Sequence, residues 1–250
     1  MQHGAARNRS FCRVVGFFFV CWQAGCGNAW ATDLPGLRAT SADGRWTLVS
    51  DNFTRTLTLR DADQNPVRTY TLATRDGKTT SAAATLLVVP SRQSFVVALS
   101  TVAELWEIST NPDAAPIFEG LVHDYKMGEA IATAGFLGVR RTLLEQPFET
   151  AFVAVRSGQI VGALRKRTED ACTRLQVIHL DIRRRIGEFT LVGTPDLKAS
   201  TSAESNDAVV LSVPDRINGQ TNLVDMKTWT VLKTGLASTP GMLTHLACQP

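Results

Sequence analysis

The side chains able to do chemistry are few and scattered along this chain of 250 residues. His123 stands beside Asp124 and close to Glu129, which suits a base with an orienting acid, or part of a metal site. One histidine among acids is also the ordinary make-up of a solvated loop, and that plainer reading is favoured. Arg140-Arg141 supplies two guanidinium forks of the kind that clamp carboxylates, though the pair serves equally well as surface charge. His179 follows Val177 and Ile178 in a strand-like run and reads as structural. His245 has no neighbour that defines a role. Arg183-Arg184-Arg185 suits a solvated hairpin tip, and Asn52-Phe53-Thr54 is a formal glycosylation sequon. The chain contains no Gly-x-Ser-x-Gly elbow, phosphate loop or His-Glu-x-x-His, so no familiar catalytic motif stands out.

Charge and the N-terminal residues bound the setting in which such groups would work. The chain has 26 lysines and arginines against 23 acids. Arg7, Arg9 and Arg13 precede the first acid, Asp33, so the remainder carries 23 bases and 23 acids. A balanced chain has no basic surplus to attract nucleic acid. Those first residues have the order of a secretory signal: basic Met1 to Arg13, apolar Val14 to Trp22, then Ala29-Trp30-Ala31 as a small-residue cleavage site. The apolar run is too short to span a bilayer, which needs about 20 residues. Residues 1–31 are therefore expected to be an export signal, with one domain over residues 32–250 in the periplasm. Gln23-Ala24-Gly25-Cys26 ends like a lipoprotein box, but Gln23 occupies the usual leucine position, so anchoring at Cys26 is the lesser reading. Cleavage would leave Cys172 and Cys248, which either pair or stand as two isolated thiols. No Cys-x-x-Cys-His occurs, which excludes a covalently attached c-type haem.

The elements that must position these groups read as repeated β-hairpins. Four stretches open with an apolar strand: Arg45–Ser50, Ser94–Ser100, Ala151–Val155 and Asp207–Ser212. Their matching positions Trp46, Phe95, Phe152 and Val209 lie 49, 57 and 57 residues apart, near the length of a four-stranded propeller blade plus a loop. Second strand pairs follow at 57–72, 105–118, 177–191 and 223–232. An acid usually closes the incoming strand, where its side chain can accept from turn amides. The expectation is an all-β fold, a β-propeller of four-stranded antiparallel blades with about four blades present. From His123 to Glu149 the rhythm breaks, which suits a long connection between two blades and a place for binding residues.

Several of these segments resemble the haem d1 propeller domain found in cytochrome cd1 nitrite reductase and in NirF-type haem d1 biosynthesis proteins. The resemblance rests on Pro90 to Leu99, Glu104 to Ile108, Leu121 to Glu129, Gln176 to Asp181 and Val224 to Trp229. It runs from about Ser41 to Thr234. It implies an eight-bladed ring that holds haem d1 over its central channel, with histidines and arginines from blade loops on the metal and the propionates. For this chain it implies a tetrapyrrole ligand, haem d1 or a precursor, and a role in haem d1 assembly or nitrite-reductase-related denitrification. His123 becomes the expected axial metal ligand, with Arg140, Arg141 and Lys78 as cations for the carboxylates. An enzyme of this kind would be a haem d1-linked oxidoreductase. Partners would be a c-type cytochrome or haem d1 assembly proteins, or a further copy of the chain.

Three departures accompany the resemblance. Thr194-Pro195-Asp196-Leu197 has Asp196 where the family tends to place a histidine, and a carboxylate is a weak substitute for imidazole at haem iron. Ser81 stands where a basic residue is frequent. The sequence reaches Pro250 with about four blades rather than eight. The alternative from another class is a cofactor-free propeller used as a protein-interaction platform, or a truncated non-functional copy.

Overall fold

Alternation of apolar and polar residues over four to eight positions, punctuated by Asp, Asn and Gly, leaves antiparallel sheet as the way to bury this chain. The computed structural model describes residues 36–118, 132–154, 158–166, 170–204 and 209–233, all within one compact unit, Asp33–Pro250. Four four-stranded antiparallel sheets follow one another along the sequence. The first is β1 (Arg38–Thr40), β2 (Thr47–Asp51), β3 (Thr56–Arg60) and β4 (Pro66–Thr71). The second is β5 (Ala83–Val89), β6 (Ser94–Leu99), β7 (Glu104–Ser109) and β10 (Val139–Leu143). A small hairpin, β8 (Ile117–Phe118) with β9 (Ala132–Thr133), interrupts it before β10. The third is β11 (Phe148–Ala154), β12 (Gln159–Leu164), β13 (Cys172–His179) and β14 (Arg184–Val192). The fourth is β15 (Thr201–Glu204), β16 (Val209–Pro214), β17 (Thr221–Asp225) and β18 (Thr230–Lys233). These are the blades of a propeller-type, all-β fold.

Three apolar cores hold consecutive sheets together, and strand alternation decides which side chain enters which core. In β6 every residue is buried. Phe95, Val97 and Leu99 join Leu48, Leu57, Leu59 and Trp106 between the first and second sheets. Val96 and Ala98 face the other way, toward Phe148, Val153, Ile160 and Ile178 of the third. Leu175, Val177, Leu211, Val213, Val224 and Trp229 close the space between third and fourth, where Phe189 stacks on Trp229 with ring centroids 6.0 Å apart.

The acid-closed turns form as expected. Asp61 Oδ1 accepts from the Asn65 amide at 2.8 Å, and Asp225 Oδ1 from the Lys227 amide at 2.8 Å. Three expectations need correction. Phe152 lies on β11, the first strand of its sheet, whereas Phe95 and Val209 lie on second strands; the true counterpart is β12. Ile117–Phe118 does not complete the second sheet, because β10 pairs with β7 instead. The break in rhythm is accordingly an insertion before the last strand of one blade, since β10 and the start of β11 both fall inside His123 to Glu149.

Candidate functional site

Strand connectivity gathers seven connections at one end of the blades, and cross-links join several of them there. In the β4–β5 connection, the buried Ser81 hydroxyl accepts from the Thr101 amide and hydroxyl of the β6–β7 connection, each at 3.0 Å. The Leu144 amide after β10 donates to the Ala103 carbonyl at 2.9 Å. Between third and fourth sheets, buried Asp215 accepts from the Thr194 amide through Oδ2 at 2.6 Å, and from the Ile217 and Asn218 amides through Oδ1 at 2.8 and 2.9 Å.

At this end a cavity of about 250 Å³ opens between the second and third sheets, lined by Ser100, Gln146, Pro147, Phe148, Glu149 and Arg165. Its floor is Phe148, whose ring lies against Gly162; a Cβ on that glycine would be driven into the ring. The β11–β12 ladder slips by one residue between Phe148 and Thr150, leaving Glu149 as the bulged residue. Bulges of this kind re-aim side chains beside binding sites. Glu149 and Arg165 are exposed at the mouth, and Ser100, Gln146 and Arg165 supply hydroxyl, amide and guanidinium donors. The set suits a carboxylate-bearing ligand. Nothing in the sequence singled out Arg165; the usable signal is its place directly after the apolar strand Ile160 to Leu164.

The expected site residues are dispersed. His123 lies outside the described residues. Lys78 belongs to the same end as the cavity, exposed at a loop tip, with Nζ 3.4 Å from Asp76 Oδ2. The Asp76 carboxyl is held below its ordinary range, chiefly by the Thr74 hydroxyl. Arg140 and Arg141 are neighbours on β10, so their side chains leave opposite faces and do not form one clamp. Arg140 Nη2 donates to the Ala115 carbonyl at 2.7 Å. Arg141 Nη1 donates to Glu104 Oε2 at 2.9 Å and to the Ala73 carbonyl at 2.8 Å. Its guanidinium also sits 4.4 Å from the centroid of the Trp106 ring. Asp196 accepts from the Lys198 and Ala199 amides at 3.1 and 3.3 Å, a turn-closing use of the carboxylate.

The opposite end of the strands holds the strongest ionic group among the described residues. Arg92 donates to Glu107 through Nε at 2.7 Å and Nη2 at 3.3 Å, and to Asp181 through Nη1 at 2.6 Å. Both carboxylates, Glu107 above all, push the guanidinium pKa further up. Ser94 Oγ donates to Glu107 Oε1 at 3.0 Å. His179 accepts from the Asp181 amide through Nδ1 at 3.3 Å. This cluster joins the second sheet to the third, with His179 at its edge. Arg183-Arg184-Arg185 are exposed at the β13–β14 turn, a solvated tip as expected, and Arg185 makes surface pairs with Glu145 and Glu188 at 3.0 and 2.6 Å. Among the described residues no group of three His, Cys, Asp or Glu side chains is arranged to hold a metal.

No protein-family model matches the chain. It is 28% identical over 204 residues to dihydro-heme d1 dehydrogenase of Pseudomonas aeruginosa, a match covering 81% of this chain and 36% of that one. The solved structure of dihydro-heme d1 dehydrogenase NirN in complex with DHE is similar at a TM-score of 0.61 and 25% identity, over 79% of this chain and 37% of that one. A looser likeness, at a TM-score of 0.47 and 10% identity, reaches the β-propeller domain of Myceliophteria thermophila Cps50 (Swd1), over 82% of this chain and 57% of that one. The chain spans little more than a third of the length of the dehydrogenase it matches.

Proposed function

We propose, for a chain related to the haem d1 propeller proteins in sequence and in fold, that it binds a haem d1-type tetrapyrrole and serves haem d1 assembly outside the cytoplasm. The observation that carries this reading is the match to dihydro-heme d1 dehydrogenase over 81% of the chain. Export rests on the signal-like residues 1–31.

The residues present fit the rim of such a ligand. Its carboxylates need cations, and the cavity end offers Arg165 directly and Lys78 on a loop of the same end. Ser100 and Gln146 would donate to a carboxylate seated on Arg165, while Glu149 across the mouth orients the guanidinium. Phe148 beneath excludes water from the floor, which strengthens each charge-assisted bond above it. Arg141 contributes indirectly, by fixing the β4–β5 connection through Ala73. His123, which lies outside the described residues, is kept as the metal ligand that the family resemblance implies. When bound, the tetrapyrrole supplies redox chemistry at its metal and ring; the protein supplies orientation and charge.

Titration of the exported chain with haem d1, followed by absorbance, tests the reading. Saturable spectral shifts at one equivalent are expected. Arg165→Ala should weaken binding about tenfold, the size of one charge-assisted contact, and His123→Ala should alter the spectrum of the bound form. A folded chain giving no shift overturns the proposal in favour of a cofactor-free interaction platform.

A further inference from the structure

The β10–β11 connection, residues 144–147, carries one wall of the cavity and is held at two points. On the side of the second sheet, the Leu144 amide donates to the Ala103 carbonyl at 2.9 Å. On the side of the third, Glu145 Oε2 accepts from Gln176 Nε2 and from Arg185 Nη1, each at 3.1 Å. Gln146 and Pro147, which line the cavity, are the span between these anchors and β11.

The second anchor is a closed ring of four side chains. Glu188 Oε2 accepts from the same two nitrogens, Gln176 Nε2 at 3.1 Å and Arg185 Nη1 at 2.6 Å. Each nitrogen carries two hydrogens and each carboxylate oxygen two lone pairs, so Glu145, Gln176, Glu188 and Arg185 satisfy one another. Arg174 Nε, 3.2 Å from Glu188 Oε1, steadies the outer side. Gln176 is 1% exposed, and a buried amide of this kind must find its partners within the fold. It pairs across the ladder with Gly162, the glycine on which the Phe148 floor rests. With Arg185 removed, two carboxylates would face each other with one neutral donor between them, and like charges repel. Arg185 is therefore what keeps Glu145 on the third sheet.

Resting on the binding reading above, we propose that this ring positions the cavity wall: it holds Glu145 against the third sheet, so that Gln146 and Pro147 keep their places, and Arg185, which does not line the cavity, is a positioning residue for a carboxylate-bearing ligand. Pairs as exposed as these add little to overall stability, so their loss shows in the wall rather than in the fold.

Amide hydrogen exchange of the ligand-free chain reads the wall directly, and titration with haem d1 reads its use. Arg185→Ala and Glu145→Ala should each speed exchange across residues 144–149 severalfold while the β12 and β13 amides keep their rates. Both should weaken binding about threefold, the size of a half-exposed charged contact. Arg185→Lys should recover most of both readouts, because an ammonium can still donate to two carboxylates. In a Gln146→Ala background, Arg185→Ala should weaken binding no further, since the ring acts through that wall. Unchanged exchange in residues 144–149 overturns the proposal. So does acceleration spread equally over β12 and β13, or a full additional loss of affinity in the Gln146→Ala background. If the unaltered chain gives no spectral shift with haem d1, the binding reading fails, and exchange in the wall alone then upholds or overturns the positioning.

Discussion

Glu107 is a buried carboxylate in the middle of a sheet, and its charge is tolerable because Arg92 meets it with two N–H groups. Removing one partner of such a pair strands the other, so Arg92→Ala should cost about 3 kcal/mol in chemical denaturation. Arg92→Lys should recover only part of this, since an ammonium cannot reach Glu107 twice and Asp181 once. A loss below 1 kcal/mol in Arg92→Ala would mean that water reaches Glu107. Tyr70 offers a test by pH. Its hydroxyl donates to the Leu137 carbonyl at 2.9 Å, and burial pushes its pKa up to about 12. The folded state holds this proton more tightly than the unfolded chain does, near 10. Its contribution is therefore complete below pH 10 and is lost as pH rises toward 12. Tyr70→Phe should be less stable at neutral pH yet lose less between pH 10 and 12. Parallel alkaline curves for the two proteins would place that loss elsewhere.

The elements show where sequence patterning succeeds and where it fails. The second to fourth strands of the first sheet were legible, because Leu57-Thr58-Leu59 alternates and Asp61 and Asn65 mark the turn, whereas the three-residue β1 was too short to show a pattern. The strand β12 was not: Gly162 interrupts Ile160 to Leu164, and an interior glycine weakens a strand signal. The glycine has a tertiary reason, since the Phe148 ring fills the space its side chain would occupy. Gly162→Ala should accordingly cost about 2 kcal/mol by overpacking. Combining it with Phe148→Leu should cost less than the sum of the two single changes, as expected for residues in contact; strict additivity would show that the ring moves aside freely. β10 was obscured by Arg140-Arg141, whose charges read as loop until Glu104 and the Trp106 face supply their partners. The same limit hid the site. Arg165 and Lys78 come to one end only through the connections of separate blades, and spacing along a chain carries no record of that.

Taken as a whole, the molecule is a series of sheets in which each core depends on its two neighbours. β6 and β12 belong to sheets packed on both faces, while β4 is exposed except at Tyr70 and β18 is largely exposed. Opening a terminal sheet disrupts one core; opening an inner one disrupts two. Local stability should therefore rise from the ends inward. Amide hydrogen exchange is expected to show the slowest exchange in β6, β7, β12 and β13, and the fastest in β4 and β18. The pattern bears on binding too, because Arg165 and the cavity lie between the two most protected sheets. A rigid seat there orients a ligand at low entropic cost, and saturation with haem d1 should slow exchange in the β10–β11 and β12–β13 connections more than at the far end, around Asp181.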